Sequence, residues 1–145
     1  MIHLAGERPF SQPISEVSSR LSDAGFLVGA LPDVDVLETG TDKAIWKMRP
    51  GFSFIRTTLE TTLTVEKRVP DTSNKIHLVS SGIGATSTVE VKMTFEPQES
   101  GTLVKWTADI LSLTGLLKLV PKGLIQSSAG KVIEETWAAV AKKLG

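Results

Sequence analysis

The strongest constraint on this chain is a change of hydrophobic period. From Thr86 to Phe95, Val89, Val91, Met93 and Phe95 fall on one face, with Thr88, Glu90, Lys92 and Thr94 on the other. Thr102 to Leu113 repeats the pattern, with Val104, Trp106, Ala108 and Ile110 inward. Alternation by two marks strands with one buried and one wet face. From Pro121 to Leu144 the apolar residues instead recur at spacings of three and four: Leu124, Ile125, Ala129, Val132, Ile133, Trp137, Val140 and Leu144. This spacing predicts one amphipathic helix of about six turns. Pro121 suits its N1 position, and Lys142 and Lys143 suit its negative end. A half-wet sheet cannot bury its apolar face alone, and this helix is the only large apolar element left to cover it.

The remaining elements follow from local signals. Ile2 to Phe10 predicts a first strand. Pro13 and Glu16 open a helical segment with Val17, Leu21 and Ala24 at helical spacing. Gly25 divides it into two short helices, with Phe26, Leu27 and Leu31 packed inward, and Pro32-Asp33 ends it. Val34 to Thr39 and Lys43 to Arg49 pair around the turn Gly40-Thr41-Asp42. Ala44, Trp46 and Met48 share one face of the second of these. Phe52 to Lys67 reads as a long strand with Leu59, Thr61, Leu63 and Val65 together. After the turn at Asp71 to Asn74 comes a strand from Asn74 to Ile83, where Gly82 and Gly84 predict a bend or bulge. Pro97 to Gly101 is a loop. The expected fold is a single α+β domain over residues 1–145. A curved antiparallel sheet of about seven strands wraps around a long C-terminal helix, with two short helices after the first strand.

Charge and composition narrow the function. Sixteen basic and sixteen acidic side chains cancel. This argues against a dedicated nucleic-acid binder, which needs a basic excess to displace counterions. Attraction to anionic membranes is likewise no long-range driving force, although the balance permits local patches. There are no cysteines, so disulfides, thiolate metal sites and cysteine nucleophiles are excluded. The longest apolar-rich stretch, Leu111 to Ile125, is broken by Thr114, Gly115, Lys118, Pro121, Lys122 and Gly123, so no stable membrane insertion is expected. The N-terminus lacks an apolar run of signal-peptide length. The reading is a cytoplasmic protein.

Chemistry-bearing residues are few. His3 and His77 have no paired metal-ligand spacing, so no metal is expected. Gly82-Ile83-Gly84 does not make a phosphate loop, and no cofactor is expected. Asp109 is out of phase with Trp106, Ala108 and Ile110 and reads as an outward carboxylate. Glu134 and Glu135 read as a solvated helix face, and Lys43, Lys47, Arg49 and Arg56 as a solvated sheet face. No catalytic residue is assigned. The apolar set Trp46, Met48, Phe52, Phe54, Val91, Met93, Trp106, Ile110, Leu117, Leu124 and Ile125 is predicted to converge on the wedge between sheet and helix. For any one of them, core packing is the plainer role. Together they are expected to line a ligand-binding cleft, with Leu113-Thr114-Gly115-Leu116-Leu117 at its entry.

The order of elements resembles the helix-grip plan of the START-like superfamily. Three stretches look like the G-subunit family of carbon monoxide dehydrogenase. They are Phe10 to Val17 with Leu21-Ser22-Asp23, Leu31-Pro32 and Val34; Glu99 to Trp106, similar to a "G-T-x-v-x-w" last strand; and Gly115 to Leu144, the entry into a long final helix. The chain departs from the family pattern at Asp33, where Gly usually follows Leu-Pro, at Ser18, near an often aromatic position, and at Thr136-Trp137, which replaces a Phe pair. The resemblance implies binding of a small hydrophobic molecule, lipid- or quinone-like, and an accessory contact with a larger enzyme, a molybdenum hydroxylase. Some family members carry a membrane-attaching tail beyond the helix. Here the chain ends at Gly145, so that role is not expected. Two other readings stay open: a polyketide cyclase or aldol-type enzyme in the same cavity, and a protein-interaction module with a filled core. None of the three specifies the ligand or the oligomeric state.

Overall fold

The computed structural model describes residues 2–49, 58–82 and 84–145. Strand β1 (Ile2–Phe10) leads into helices α1 (Ile14–Leu21) and α2 (Ala24–Ala30). Six strands follow: β2 (Asp35–Thr39), β3 (Lys43–Met48), β4 (Leu59–Val69), β5 (Ser73–Gly82), β6 (Ala85–Gln98) and β7 (Gly101–Gly115). A 3-10 turn (Leu116–Leu119) then connects to α3 (Lys122–Leu144). The seven strands form one antiparallel sheet in the order β1-β7-β6-β5-β4-β3-β2. The first strand therefore pairs with the last, and α1 and α2 carry the chain from one edge of the sheet to the other. This is the predicted helix-grip architecture.

The strand phases follow the alternation. Val104, Trp106, Ala108 and Ile110 are buried along β7, and Ala44 and Trp46 along β3. Leu63, Ile76, Met93 and Phe95 continue the buried face across β4, β5 and β6. The expected strand Phe52 to Lys67 is described only from β4 onward, since 50–57 lie outside the described residues. Pairing of β6 with β7 runs further than expected, to Gln98↔Gly101, which shortens the expected loop to two residues.

The helix pair divides before Gly25. Asp23 sits between the helices and caps α2, accepting from the backbone N–H groups of Gly25 at 2.9 Å and Phe26 at 3.3 Å. An N-cap carboxylate satisfies donors that the first turn of a helix leaves free. Gly25 instead lies inside α2, where its N–H bonds the Gly40 carbonyl at 2.8 Å and ties the helix to the β2–β3 turn. Arg68 on β4 locks the same junction, donating to the carbonyls of Ser22 and Thr41 and to Asp42.

α3 is gripped at its C-terminal half. Trp137 packs between Phe10 and Trp106, with ring centroids 6.1 and 6.2 Å away. Lys143 lies over the Phe26 ring at 5.1 Å, which holds α3 against α2. An aromatic side chain of this size buries about 150–250 Å², roughly 4–6 kcal/mol of transfer free energy as an upper bound.

Candidate functional site

A pocket of about 270 Å³ opens at the other end of α3, between the end of β7, the 3-10 turn and the first turn of the helix. Its floor is apolar. Ile2, Ile110, Leu117 and Ile125 line it and belong to a buried cluster separate from the one around Trp137. Leu111, Ser112, Leu113 and Val120 form its walls, and the exposed Lys118 and Lys122 stand among its lining residues. Leu4 and Val89, both half-buried, pack against both clusters and bridge the interior between them.

A bulge makes this wall. Thr88 pairs with Ser112 and Val89 with Ile110, so Leu111 is an extra residue in β7. A regular strand offers alternate residues to one side, whereas a bulge breaks the alternation and re-aims side chains. Ile110, Leu111, Ser112 and Leu113 consequently all line the same pocket. Gly82 and Gly84, where the bend is expected, fall at the connection of β5 to β6. The β6–β7 irregularity itself carries no glycine.

Gly115 then turns the chain out of β7. Its φ is 64°, a region that disfavours a side chain, and a Cβ there would collide with the Gly84 carbonyl. The segment expected to guard the entry is divided accordingly. Leu113, Thr114 and Gly115 are paired strand residues, and Leu117 is buried in the floor.

The nine described residues of the eleven predicted to line the cleft do not converge on one place. Ile110, Leu117 and Ile125 meet at the pocket. Trp46, Met93 and Trp106 are buried in the cluster around Trp137, with Met48 and Val91 packed against it. Leu124 does not join either group and is 45% exposed. The reason is helical geometry. Ile125, Ala129, Ile133, Trp137, Val140 and Leu144 form the inward stripe, and Leu124 and Val132 fall about 100° to one side of it. Phe52 and Phe54 lie outside the described residues. Sequence reasoning missed Ile2, Leu111, Ser112 and Val120 as lining groups, and saw Lys118 and Lys122 only as interruptions of an apolar run. The two lysines beside the start of a helix were the available signal; the bulge had none.

Asp109, Glu90 and His77 lie on the other face of the sheet. Asp109 points away from the neighbouring Ile110 and bonds His3 across the β1–β7 pair. Glu90, opposite Asp109, pairs with Lys75 at 3.4 Å and Lys92 at 3.5 Å. His77, half-buried, sits across from Glu90. In the interior, the Trp46 Nε1 donor is buried with no hydrogen-bond partner among the described residues. Among the described residues no group of three or more His, Asp or Glu is placed to hold a metal, and no helix is long and apolar enough to cross a membrane.

The family model for the G subunit of carbon monoxide dehydrogenase (CoxG) matches residues 6–145. Comparison with curated proteins returns no match. Among solved structures, a conserved protein from Geobacillus kaustophilus superposes with a TM-score of 0.85 at 16% identity, over 99% of this chain and 95% of that one. Protein CV1439 from Chromobacterium violaceum gives 0.70 at 14% identity, over 98% and 96% of the two chains. A START superfamily protein from Mycobacterium smegmatis gives 0.70 at 11% identity, over 98% and 96%. Likeness at these identities establishes a shared fold.

Proposed function

This chain belongs to the CoxG family, that of the carbon monoxide dehydrogenase G subunit, and from that premise we propose that it holds a small apolar molecule at the junction of sheet and α3, as an accessory to a larger enzyme. One observation carries the reading: the apolar-floored pocket of about 270 Å³ between β7, the 3-10 turn and α3. Ligand sites are concave, largely apolar and occupy about 300–1,000 Å³, so this pocket suits one ring system or a medium-length chain. Burial there contributes about 25 cal/mol per Å² of apolar area before ordering is counted. The family description, a subunit of carbon monoxide dehydrogenase, supports the accessory role, and the enzyme served is proposed to be a molybdenum hydroxylase. The cyclase reading is weaker, because Asp109 lies on the far face of β7, bonded to His3.

The test is uptake of a neutral apolar probe, N-phenyl-1-naphthylamine, by the purified chain. Native mass spectrometry of the same sample reports any retained ligand. Saturable fluorescence enhancement that is lost in Leu113→Trp, which fills the pocket from its wall, is the expected result. A bare mass with no enhancement in the parent chain rejects the proposal.

A further inference from the structure

The pocket lies in a stretch of chain that carries cations and no anions. Between Asp109 and Glu134 there are three lysines, Lys118, Lys122 and Lys131, and no acidic residue, although the whole chain is balanced at sixteen of each sign. Five cations on the sheet are paired: Lys43 with Glu38, Arg68 with Asp42, Lys75 and Lys92 with Glu90, and Lys105 with Glu96. Lys118 and Lys122 have no ion-pair partner among the described residues, and both line the pocket. The first turn of α3 adds the same sign. It has no acidic residue, and its N-cap, Pro121, offers no side-chain acceptor.

An apolar floor with two unpaired lysines among the lining residues matches an amphiphile with an anionic head. The tail displaces water from Ile2, Ile110, Leu117 and Ile125, while the head stays at the solvated rim beside Lys118 and Lys122. A neutral ligand uses the floor and gains nothing from the rim. We infer that the natural ligand of this pocket is a medium-chain amphiphile carrying a carboxylate or an equivalent anionic head, read by Lys118 and Lys122. The inference rests on the pocket being the ligand site. At roughly 30 Å³ per water-sized group, the volume accommodates a tail of about eight to ten carbons.

Both lysines are exposed, so the preference is modest. An exposed ion pair contributes about 0.2–1 kcal/mol, which is roughly 1.4- to fivefold in affinity, and two together give roughly two- to 25-fold.

The experiment compares decanoate, 1-decanol and decylamine on the full chain by calorimetric titration or by displacement of N-phenyl-1-naphthylamine. At low salt, decanoate binds roughly two- to 25-fold more tightly than decanol, and decylamine binds most weakly. Raising the salt to screening concentrations narrows the gap. The double variant Lys118→Gln/Lys122→Gln closes it, whereas Lys118→Arg/Lys122→Arg preserves it. Equal binding of decanoate and decanol overturns the anionic head, and a preference that survives the glutamine pair overturns its reading by Lys118 and Lys122; either result leaves the apolar pocket standing. Failure of all three probes to bind overturns both.

Discussion

The indole of Trp106 rests on the bare Cα of Gly6, so closely that a Cβ there would lie 2.7 Å from Cζ2. The two residues are direct cross-strand partners in β1 and β7. The missing side chain on β1 is thus the space in which Trp106 lies, and Trp106 in turn backs Trp137 on α3. A glycine, a strand tryptophan and a helix tryptophan make one stack from the sheet edge to the helix.

Gly6→Ala tests that stack. The added methyl must push the indole aside, and overpacking of this kind destabilises by about 1–3 kcal/mol. Urea unfolding is expected to show that loss, with a shift of tryptophan emission in the folded state as the ring moves. An unchanged midpoint and an unchanged spectrum would show that the ring is not held there.

Asp23→Ala should weaken the α1–α2 junction. The carboxylate accepts from two backbone donors at the start of α2, and losing such a cap typically removes about 0.5–2 kcal/mol. Asp23→Asn retains an acceptor and is expected to recover most of the loss in the same denaturation assay. Equal losses in both variants would assign the effect to something other than the cap.

Asp33 adopts a φ of 55°, in the left-handed region. The family pattern that the opening segment resembles has glycine at this position, and the backbone explains why: without a Cβ the conformation carries no penalty. Asp tolerates it better than branched residues do. Stability is therefore expected to rank Gly at or above Asp and well above Val, with Asp33→Val below Asp33→Gly by about 2 kcal/mol. Thermal unfolding of the three chains checks the order, and a valine variant as stable as the parent would refute it.

The fold was legible because its two periods are clean. Each strand from β3 to β7 draws its buried residues from the phase that alternation selects, and the final helix ends at Leu144 as expected but begins at Lys122, with Pro121 as its N-cap and not at N1. The junction of α1 and α2 was half legible: the break was visible, but the capping role of Asp23 depends on backbone geometry that Gly25 obscured. The site was less legible for two physical reasons. Helical spacing alone gave Leu124 and Ile125 equal standing, although adjacent helical residues lie about 100° apart and only one of them can enter the stripe. A bulge at Leu111 then turned four consecutive strand residues toward one pocket, and no residue type in β7 announces an insertion of that kind.

Leu117 and Leu124 provide the sharpest contrast for locating the ligand. Both are leucines in the predicted lining set; one is buried in the pocket floor and the other is 45% exposed on α3. Leu117→Ala removes three carbons from the floor. Because neighbouring groups relax only partly, the pocket grows by about that volume and the fold loses about 2–5 kcal/mol. If the pocket holds the ligand, the chain length at which a series of neutral n-alkanols stops gaining affinity moves upward by about two to three carbons in Leu117→Ala. Leu124→Ala, at an exposed position, changes stability by no more than about 0.5 kcal/mol and leaves the cutoff where it was. A cutoff that stays fixed in the folded Leu117→Ala chain, or that moves equally in both variants, would place alkanol binding somewhere other than between β7 and the start of α3.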